Sequence, residues 1–337
     1  MSLPRRTLGA SGLEITTVGL GTWAIGGGGW SHGWGPQDDD DSVDAIQRAV
    51  ALGVNWVDTA AIYGHGHAEE VVGRALRALP AADRPLVFTK GGLTWDDGEP
   101  MADDTAVVTP ETVRRGAEDS LRRLGLDYVD LFQIHYPDEE GNLLDDAWAE
   151  MVKLRDEGMA LAIGVSNFDV DLLERCEAIG HVDSLQPHFS AINRAAAREL
   201  IPWAREHATG VICYSPMQSG ILTDSFGPER VAAMDADDWR RRDSAFGQPE
   251  LSRNLSLRDA LRPIAARHDA TVSEVAVAWV LAWQGVSGAI VGARTARQVE
   301  SWIGAAQLEL TEADLTDIAA AVSDSGAGAG PSYPRRG

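Results

Sequence analysis

Short apolar runs alternate along the chain with longer segments in which apolar residues recur every three or four positions. The short runs are typical of buried strands, and the longer segments, of about 10 to 15 residues, are typical of amphipathic helices. The predicted strands are 18–22, 55–58, 86–90, 129–135, 162–166, 184–186, 211–214 and 288–291. The predicted helices are 67–79, 110–124, 145–157, 169–179, 196–207, 257–268, 272–284 and 296–305.

This alternation of strand and helix predicts a parallel sheet, because a crossover helix returns the chain to the same end of the sheet. Eight predicted strands favour a closed (β/α)8 TIM barrel, an α/β fold that commonly reaches this chain length. A doubly wound open sheet is the alternative. It lacks support, because no glycine-rich G-x-G-x-x-G turn follows the first predicted strand.

Two further elements flank the repeating units. The glycines at Gly9 and Gly12, between short extended runs, predict an N-terminal β-hairpin. An extra C-terminal helix is predicted over 311–322, with Thr311 as its cap.

Two segments lack a helix or strand pattern. The segment 215–255, after the seventh strand, has no clear period and predicts a long loop that serves as a lid or binding loop. The residues 326–337, rich in Gly and Ala, predict a disordered tail. We therefore expect a single barrel domain over 1–325.

The composition excludes several classes of function. The net charge of -22 makes binding to nucleic acid or to an anionic membrane face unfavourable, and an anionic ligand would need a local basic pocket. No apolar run reaches the length of a membrane span. The two cysteines, Cys176 and Cys213, lie in predicted core positions, and we expect both to be reduced, as in a cytoplasmic protein.

Four chemically active residues fall at or just after predicted strand ends, where barrels of this kind carry their active sites. Asp58, Lys90 and His135 end three successive strands, and Tyr63 follows Asp58 in the next turn. A buried carboxylate and a buried ammonium each need a partner, so Asp58 and Lys90 are expected to pair. A neighbouring ammonium lowers the pKa of a tyrosine from its ordinary value near ~10. Such a tyrosine can protonate an alkoxide as it forms.

Motifs that carry these residues follow one another along nearly the whole chain. They are V-D-T-A-A-I-Y-G at 57–64, F-T-K at 88–90, D-L-F-Q-I-H at 130–135, G-V-S-N-F at 164–168, L-Q-P-H-F-S at 185–190, Y-S-P-M-Q-S-G-I-L at 214–222 and V-G-A-R-T at 291–295. Each motif alone has low specificity, but the ordered set resembles the aldo-keto reductase superfamily and is very specific for it.

The resemblance implies a role for each of the four residues. Tyr63 would be the acid that protonates the carbonyl oxygen in reduction and the base in oxidation. Lys90, held by Asp58, would lower the pKa of Tyr63. His135 would donate a hydrogen bond to the substrate carbonyl and orient it.

The resemblance also implies a nicotinamide cofactor that lies extended across the barrel mouth without a Rossmann fold. The implied cofactor contacts are Gly21, Thr22, Trp23, Asp58, Ser166, Asn167, Gln186, Tyr214, Ser215, Pro216, Met217, Ser219, Gly220, Leu222, Gly292, Arg294, Thr295 and Gln298. Of these, Ser166, Asn167 and Gln186 would bind the carboxamide. Tyr214 would stack on the nicotinamide ring, and 215–222 would wrap the pyrophosphate.

At the adenosine end the resemblance favours NADP (NADPH) over NAD, because Arg294 suits a 2′-phosphate. The sequence departs from the family at two points. The family often has Glu-Asn, which contacts the adenine, where this chain has Ser301 and Trp302, so that contact is left open. It often has L-T-G-K where this chain has L-T-D-S at 222–225, and the loss of that basic residue weakens the preference for NADP.

Aromatic and charged residues of the mouth loops leave further interpretations open. Trp23, Trp95 and Tyr136 are expected to wall an apolar substrate pocket. The arginines at 240–242 fit either a solvated face or a lid that contacts cofactor phosphate.

A metal site is the other chemistry that the histidines suggest. Asp58, His65, His67 and His135 could be drawn as a zinc set, as in barrel hydrolases. That set would leave the tyrosine and the lysine without a role. We therefore expect no metal, and we expect the histidines of G-H-G-H to lie in a solvated turn.

Three functions are consistent with this sequence. The first is an NADP-dependent oxidoreductase that reduces an aldehyde or ketone to an alcohol. The second is an NAD(P)-dependent sugar or polyol dehydrogenase that uses the same residues in the direction of oxidation. The third is a regulatory subunit that senses cofactor state with little turnover. The physiological substrate and the oligomeric state are not predicted.

Overall fold

The computed structural model describes residues 2–138 and 143–334, which contain twelve strands and eleven α-helices. The strands are β1 (Arg5–Thr7), β2 (Glu14–Thr16), β3 (Val18–Gly21), β4 (Trp56–Asp58), β5 (Leu86–Gly91), β6 (Leu93–Thr94), β7 (Thr105–Ala106), β8 (Val129–Ile134), β9 (Ala160–Ser166), β10 (Ser184–Gln186), β11 (Gly210–Tyr214) and β12 (Val286–Gly292). The helices are α1 (Asp39–Ala51), α2 (His67–Ala78), α3 (Pro110–Leu124), α4 (Leu144–Asp156), α5 (Val170–Glu177), α6 (Leu200–Glu206), α7 (Pro228–Ala232), α8 (Glu250–Arg267), α9 (Val272–Leu281), α10 (Ala296–Glu300) and α11 (Glu312–Ser325).

Eight of these strands form a closed parallel barrel in the order β3-β4-β5-β8-β9-β10-β11-β12, with β12 hydrogen-bonded to β3. Helices follow the barrel strands and cover the outer face of the sheet, so the predicted (β/α)8 barrel is confirmed. The predicted C-terminal helix is also present as α11, with Thr311 accepting a hydrogen bond from the backbone of Asp314.

The alternation of side chains along the strands divides the barrel interior into two layers. Successive residues of a strand point to opposite faces, so Phe88 and Lys90 of β5 point inward, whereas Val87 packs against the outer helices. The lower interior layer is apolar and includes Trp56 and Phe88, whose ring centroids lie 5.1 Å apart. The next inward position of β4 and of β5 carries a charged group, which brings Asp58 and Lys90 to the carboxyl end of the barrel.

The N-terminal hairpin of β1 and β2 closes the amino end of the barrel, in agreement with its prediction. Leu8 and Ile15 are fully buried against the apolar interior layer. Arg6 donates hydrogen bonds to the backbone oxygens of Leu281 and Val286, at 3.1 and 2.6 Å, which joins the hairpin to the last strand of the barrel. The hairpin therefore acts as a plug at this end of the barrel.

The segment after β11 is more ordered than its sequence predicts. It contains short 3-10 turns at Gln218–Gly220, Trp239–Arg241 and Ser244–Phe246, as well as the five-residue helix α7. Helix α8 begins at Glu250, which is seven residues before the predicted start at 257. The long segment after the seventh barrel strand is therefore present, and its short elements have no periodic signal in the sequence.

The prediction of a disordered tail from 326 is wrong for residues 326–334, and residues 335–337 lie outside the described chain. Ala329 forms a parallel bridge with Asn193, and Ala327 is buried. The guanidinium of buried Arg194 donates to the backbone oxygens of Ala327 and Gly330, at 3.1 and 3.2 Å. These backbone hydrogen bonds hold the tail, and a Gly- and Ala-rich composition does not predict them.

The helices of residues 2–138 and 143–334 include none with both the length and the apolar character that a bilayer span requires.

Replacing Gly328 with Ala should detach the tail, because Gly328 has a φ of +56° and an added Cβ would lie 1.7 Å from the Ile192 oxygen. Hydrogen-exchange mass spectrometry should show lost protection at 326–334. The matched control is Gly326→Ala, which has a similar φ of +65° but nothing within 4 Å of the added carbon. That control should cost only the left-handed strain of about 1–2 kcal/mol. Equal protection in both variants would contradict the proposed steric cause.

Candidate active site

The four residues singled out at the strand ends converge at the carboxyl end of the barrel. Lys90 is fully buried, and its Nζ donates hydrogen bonds to Asp58 Oδ1 at 2.6 Å and to the Thr59 oxygen at 2.9 Å. The same Nζ lies 3.4 Å from the Tyr63 hydroxyl. The predicted ion pair of Asp58 and Lys90 is therefore present, and it places a cation beside the phenol.

His135 completes this group, which we call the tetrad. Its ring meets the Tyr63 ring edge-on, with centroids 5.6 Å apart. Burial, followed by the positive charge of Lys90, holds the pKa of His135 well below its ordinary value, so the imidazole is neutral near pH 7. A neutral imidazole has one N–H donor, which can serve a carbonyl oxygen.

The pKa of Tyr63 differs from the expectation. Burial, followed by the negative charge of Asp58, raises the pKa of Tyr63 well above its ordinary value. The predicted lowering by Lys90 is thus outweighed in this state of the protein, since desolvation disfavours the phenolate. The phenol consequently holds its proton at neutral pH.

Gln186 connects the predicted carboxamide-binding residues to the tetrad through hydrogen bonds. Its Nε2 donates to Asp58 Oδ2 at 2.9 Å, so the two oxygens of this carboxylate have separate donors, Lys90 and Gln186. Ser166 Oγ donates to the backbone oxygen of Gln186 at 2.9 Å. Asn167 Nδ2 donates to Ser166 Oγ and to the backbone oxygen of His135, both at 3.0 Å. These residues form one hydrogen-bonded group around the tetrad.

Tyr214 is fixed in position from two sides. Its hydroxyl donates to Asn167 Oδ1 at 2.8 Å, and one ring face stacks on His188 with centroids 5.0 Å apart. Burial lowers the pKa of His188 to about 4, so a neutral ring lies behind the tyrosine at pH 7. Tyr214 also lines the adjoining cavity, so its ring is positioned to stack on a flat ligand there.

A cavity of about 390 Å³, which we call the cofactor cavity, begins at the tetrad and extends to helix α10. Its wall contains most of the residues implied as cofactor contacts: Gly21, Thr22, Trp23, Asp58, Tyr214, Ser215, Pro216, Met217, Ser219, Gly220, Gly292, Arg294 and Gln298. Five implied contacts lie elsewhere. Ser166, Asn167 and Gln186 belong to the hydrogen-bonded group around the tetrad. Leu222 is fully buried in the core, and Thr295 caps α10 by accepting a hydrogen bond from the Gln298 amide.

Several features of this wall fit a dinucleotide. Ser215, Gln218, Ser219 and Gly220 adopt left-handed backbone conformations, with φ of 54°, 48°, 50° and 101°. Strained backbone of this kind is concentrated at ligand-binding sites. Three arginines also line the cavity, Arg230, Arg240 and Arg294, in a chain with a net charge of -22. The cavity therefore supplies the local basic pocket that an anionic ligand requires.

Arg294 lines the far end of the cavity but already has protein partners. Its Nε donates to Gln37 Oε1 at 2.5 Å, and its Nη1 donates to the Trp34 oxygen at 3.3 Å. Its Nη2 donates to the Pro36 oxygen. A guanidinium has five N–H groups, so two remain for a ligand. Trp302 contributes to the wall at this end.

The aromatic residues expected to form a substrate pocket lie around the tetrad. Trp23 stacks on Tyr63 at 6.3 Å and on Trp239 at 4.9 Å between centroids. Tyr136 stacks on His135 at 5.3 Å and is partly exposed.

Trp95 belongs to the same aromatic cluster as Tyr63 and stacks on His65 at 5.1 Å. The side chain of His65 is only 13% exposed, so the prediction of a solvated turn is wrong for this residue. The side chain of His67 is 41% exposed and is hydrogen-bonded to Asp39, as expected for a residue in a solvated turn.

The sequence assigned no role to Trp239 or His188, and it placed Trp34 only among the aromatic residues of the mouth loops that could wall a substrate pocket. Trp34 lies in the cavity wall, and Trp239 covers Trp23. The only signal for Trp34 was that the loop at 24–36 contains too many aromatic residues for a plain linker. Trp239 and His188 make contacts with residues distant in the sequence, which are formed only when the chain folds across the barrel mouth.

Comparison with known proteins agrees with this geometry. The sequence model of the Aldo/keto reductase family matches residues 17–323. The aldo-keto reductase YhdN of Bacillus subtilis (strain 168) is 32% identical over 309 residues, which cover 91% of this chain and 90% of that protein. The NADH-specific methylglyoxal reductase of Escherichia coli (strain K12) is 30% identical over 318 residues, covering 92% and 95%. The structure of the glycerol dehydrogenase AKR11B4 from Gluconobacter oxydans superposes with a TM-score of 0.85, at 32% identity and 97% coverage of both chains.

Replacing Lys90 with Met should lower the free energy of unfolding by about 3–5 kcal/mol, because it leaves the buried Asp58 carboxylate without its counter-charge. The double variant Asp58→Asn/Lys90→Met should recover much of this loss. Urea denaturation measures both. Lys153→Met is the control, because Lys153 is 63% exposed and its pairing with Glu150 should contribute less than about 1 kcal/mol. Similar losses for both lysines would show that burial of the Lys90 pair is unimportant for stability.

Proposed function

The chain belongs to the aldo/keto reductase family, and from that premise we propose that it catalyses the NADPH-dependent reduction of an aldehyde or ketone to an alcohol. The family consists of oxidoreductases that act on carbonyl compounds with nicotinamide cofactors. The observation that carries the proposal is the convergence of Asp58, Tyr63, Lys90 and His135 at one end of the cofactor cavity.

Each tetrad residue has a role that follows from its surroundings. Tyr63 holds its proton at neutral pH and can deliver it to the substrate oxygen as negative charge develops there. Lys90, at 3.4 Å from the hydroxyl, stabilises the phenolate that remains. Neutral His135 donates its N–H to the same oxygen and orients the carbonyl. The reduced nicotinamide supplies the hydride when it is bound.

The residues that would hold the cofactor follow one another along the cavity wall, beginning at the tetrad. Tyr214 would stack on the nicotinamide, the left-handed segment 215–220 would face the diphosphate, and Arg294 would face the adenosine phosphate. Arg294 is the reason to propose NADPH, because two of its N–H groups remain for a 2′-phosphate. A relative of this chain is named an NADH-specific reductase, so the preference is a specific point to test.

A dehydrogenase that runs in the direction of oxidation is the second candidate. It is favoured by the likeness to a glycerol dehydrogenase, at 32% identity and a TM-score of 0.85. The same phenol then acts as the base, since proton transfer at Tyr63 is reversible. Initial rates with NADPH and a panel of carbonyl compounds, compared with NADP⁺ and small polyols, separate the two directions. Turnover near background in both would instead favour a cofactor-sensing subunit.

Tyr63→Phe should lower kcat by about 10²–10⁴-fold, because it removes the proton donor but keeps the ring. Fluorescence titration should show that affinity for NADPH remains near wild type. Tyr128→Phe is the control, because Tyr128 is exposed and lies outside the cavity wall. Its kcat should remain within a few fold of wild type. Unchanged activity in Tyr63→Phe would remove the proton-donor role.

Arg294→Ala should raise the Kd for NADPH by a factor about tenfold or more larger than the factor for NADH. The reason is that only NADPH carries the 2′-phosphate that the guanidinium would bind. Isothermal titration with each cofactor gives both constants. Arg297→Ala, an exposed position on α10 outside the cavity wall, serves as control. Parallel increases in the two Kd values would show that the 2′-phosphate is recognised elsewhere or not at all.

A further inference from the structure

His188 has no part in the proposed reaction, yet it lies directly behind the residue proposed to stack on the nicotinamide. His188 and Tyr214 stack face to face, with ring centroids 5.0 Å apart and an angle of 18° between the ring planes. A backbone bridge also joins the two residues at the end of β11. One face of the Tyr214 ring is therefore covered by protein, which leaves the opposite face for a ligand in the cofactor cavity.

The hydroxyl of Tyr214 does not by itself fix the plane of the ring. This hydroxyl donates to Asn167 Oδ1 at 2.8 Å. Its oxygen lies on the axis of the χ2 rotation, which runs from Cβ through the ring, so the hydrogen bond survives when the ring turns about that axis. The χ2 torsion of a tyrosine also has broad minima. A flat group against one face is needed to set the ring plane, and His188 is that group.

His188 is itself held in one orientation. Asn193 Nδ2 donates to His188 Nδ1 at 2.9 Å, while Asn193 Oδ1 accepts from the Ala195 amide at 3.4 Å, which fixes the direction of the Asn193 amide. Because Nδ1 lies off the rotation axis of the imidazole, this bond determines the plane of the ring. Asn193 is in turn bridged to Ala329 of the C-terminal tail. The support for Tyr214 is thus rigid before any ligand arrives.

The same hydrogen bond is compatible only with an uncharged imidazole. Nδ1 accepts from Asn193, so the single ring proton is on Nε2. Burial lowers the pKa of His188 to about 4, which agrees with a neutral ring. His188 therefore adds no positive charge behind a site that is proposed to hold the oxidised nicotinamide, which is itself a cation.

We propose that His188 is a positioning residue, whose ring face sets the plane of Tyr214 and thereby the orientation in which the nicotinamide stacks. This inference rests on the proposed function, because it takes a nicotinamide dinucleotide as the ligand. His188 acts through Tyr214 and does not contact the cofactor. Its removal should therefore affect ligands that carry the nicotinamide and spare those that lack it.

His188→Ala should raise the Kd for NADPH by about 3- to 10-fold, the size expected for the loss of one aromatic contact. The compound 2′-phospho-ADP-ribose, which is NADP without the nicotinamide ring, should bind as tightly as it does to wild type. NADH and ADP-ribose differ in the same way and should respond alike. Isothermal titration measures all four ligands.

The matched control is His207→Ala. This histidine also stacks on an aromatic ring, that of Trp203 at 4.1 Å between centroids, but both residues lie outside the cavity wall. His207→Ala should change none of the four Kd values. The melting temperature of every variant is measured as well, to show that each is folded at the temperature of the titrations.

Two further variants separate the ring face from the hydrogen bond. His188→Phe keeps a flat face but loses the acceptor for Asn193, and its Kd for NADPH should lie within about twofold of wild type. His188→Gln keeps an acceptor without a ring and should bind NADPH as weakly as His188→Ala. The reverse order would overturn the proposal, since the hydrogen bond would then be responsible and not the ring face.

A double-mutant cycle tests whether the effect passes through Tyr214. In the Tyr214→Leu background, His188→Ala should cause no further rise in the Kd for NADPH, because no ring is left to position. A full additional loss in that background would contradict the proposal, because the two residues would then act independently.

Two results with His188→Ala overturn this inference alone. One is an unchanged Kd for NADPH. The other is an equal loss for NADPH and 2′-phospho-ADP-ribose, which would indicate general damage to the cavity. Wild-type protein that binds NADPH but reduces no carbonyl compound would overturn the proposed reduction and leave this inference standing. Wild-type protein that binds neither NADPH nor NADH would overturn both.

Discussion

A pair of opposite charges, 2.6 Å apart and removed from water, is the constraint around which this active site is built. Neither Asp58 nor Lys90 is stable alone at that depth, so each must be held where the other can reach it. The apolar layer of Trp56 and Phe88 beneath them excludes water from below. Gln186 and the Thr59 oxygen satisfy the remaining hydrogen-bonding groups. The position of the phenol beside Lys90 follows from this arrangement.

The hydrogen bonds around Asp58 also connect the tetrad to the cofactor cavity. Asp58 and Tyr63 lie in the cavity wall, and Gln186, Asn167 and Tyr214 are connected to them by hydrogen bonds. A ligand that contacts these amides therefore acts on groups that also hold the tetrad. In the state described here, burial keeps the pKa of the phenol high.

The sequence predicted the barrel and the tetrad because both depend on local patterns. Alternation along a strand places every second residue inside, so an acid or base at the last position of β4 or β5 has to lie at the mouth. The remaining errors have a different origin. The tail at 326–334 is held by Arg194, more than a hundred positions earlier in the chain, through backbone oxygens that any residue would offer. Arg240 resembles a solvated residue until Asp238 and Trp34 surround it. Neither long-range packing nor burial of a charge has a periodic signature.

The plug at the amino end of the barrel has a consequence for biosynthesis. Arg6 is synthesised well before its acceptors Leu281 and Val286, which lie 275 and 280 positions later in the chain. Likewise, both edges of the first barrel strand, β3, can be paired only after β12 has been synthesised. During translation the nascent chain thus carries an open sheet edge until β12 has left the ribosome. Cooperative closure is a late event, and a prematurely terminated product would expose the apolar lumen to other chains.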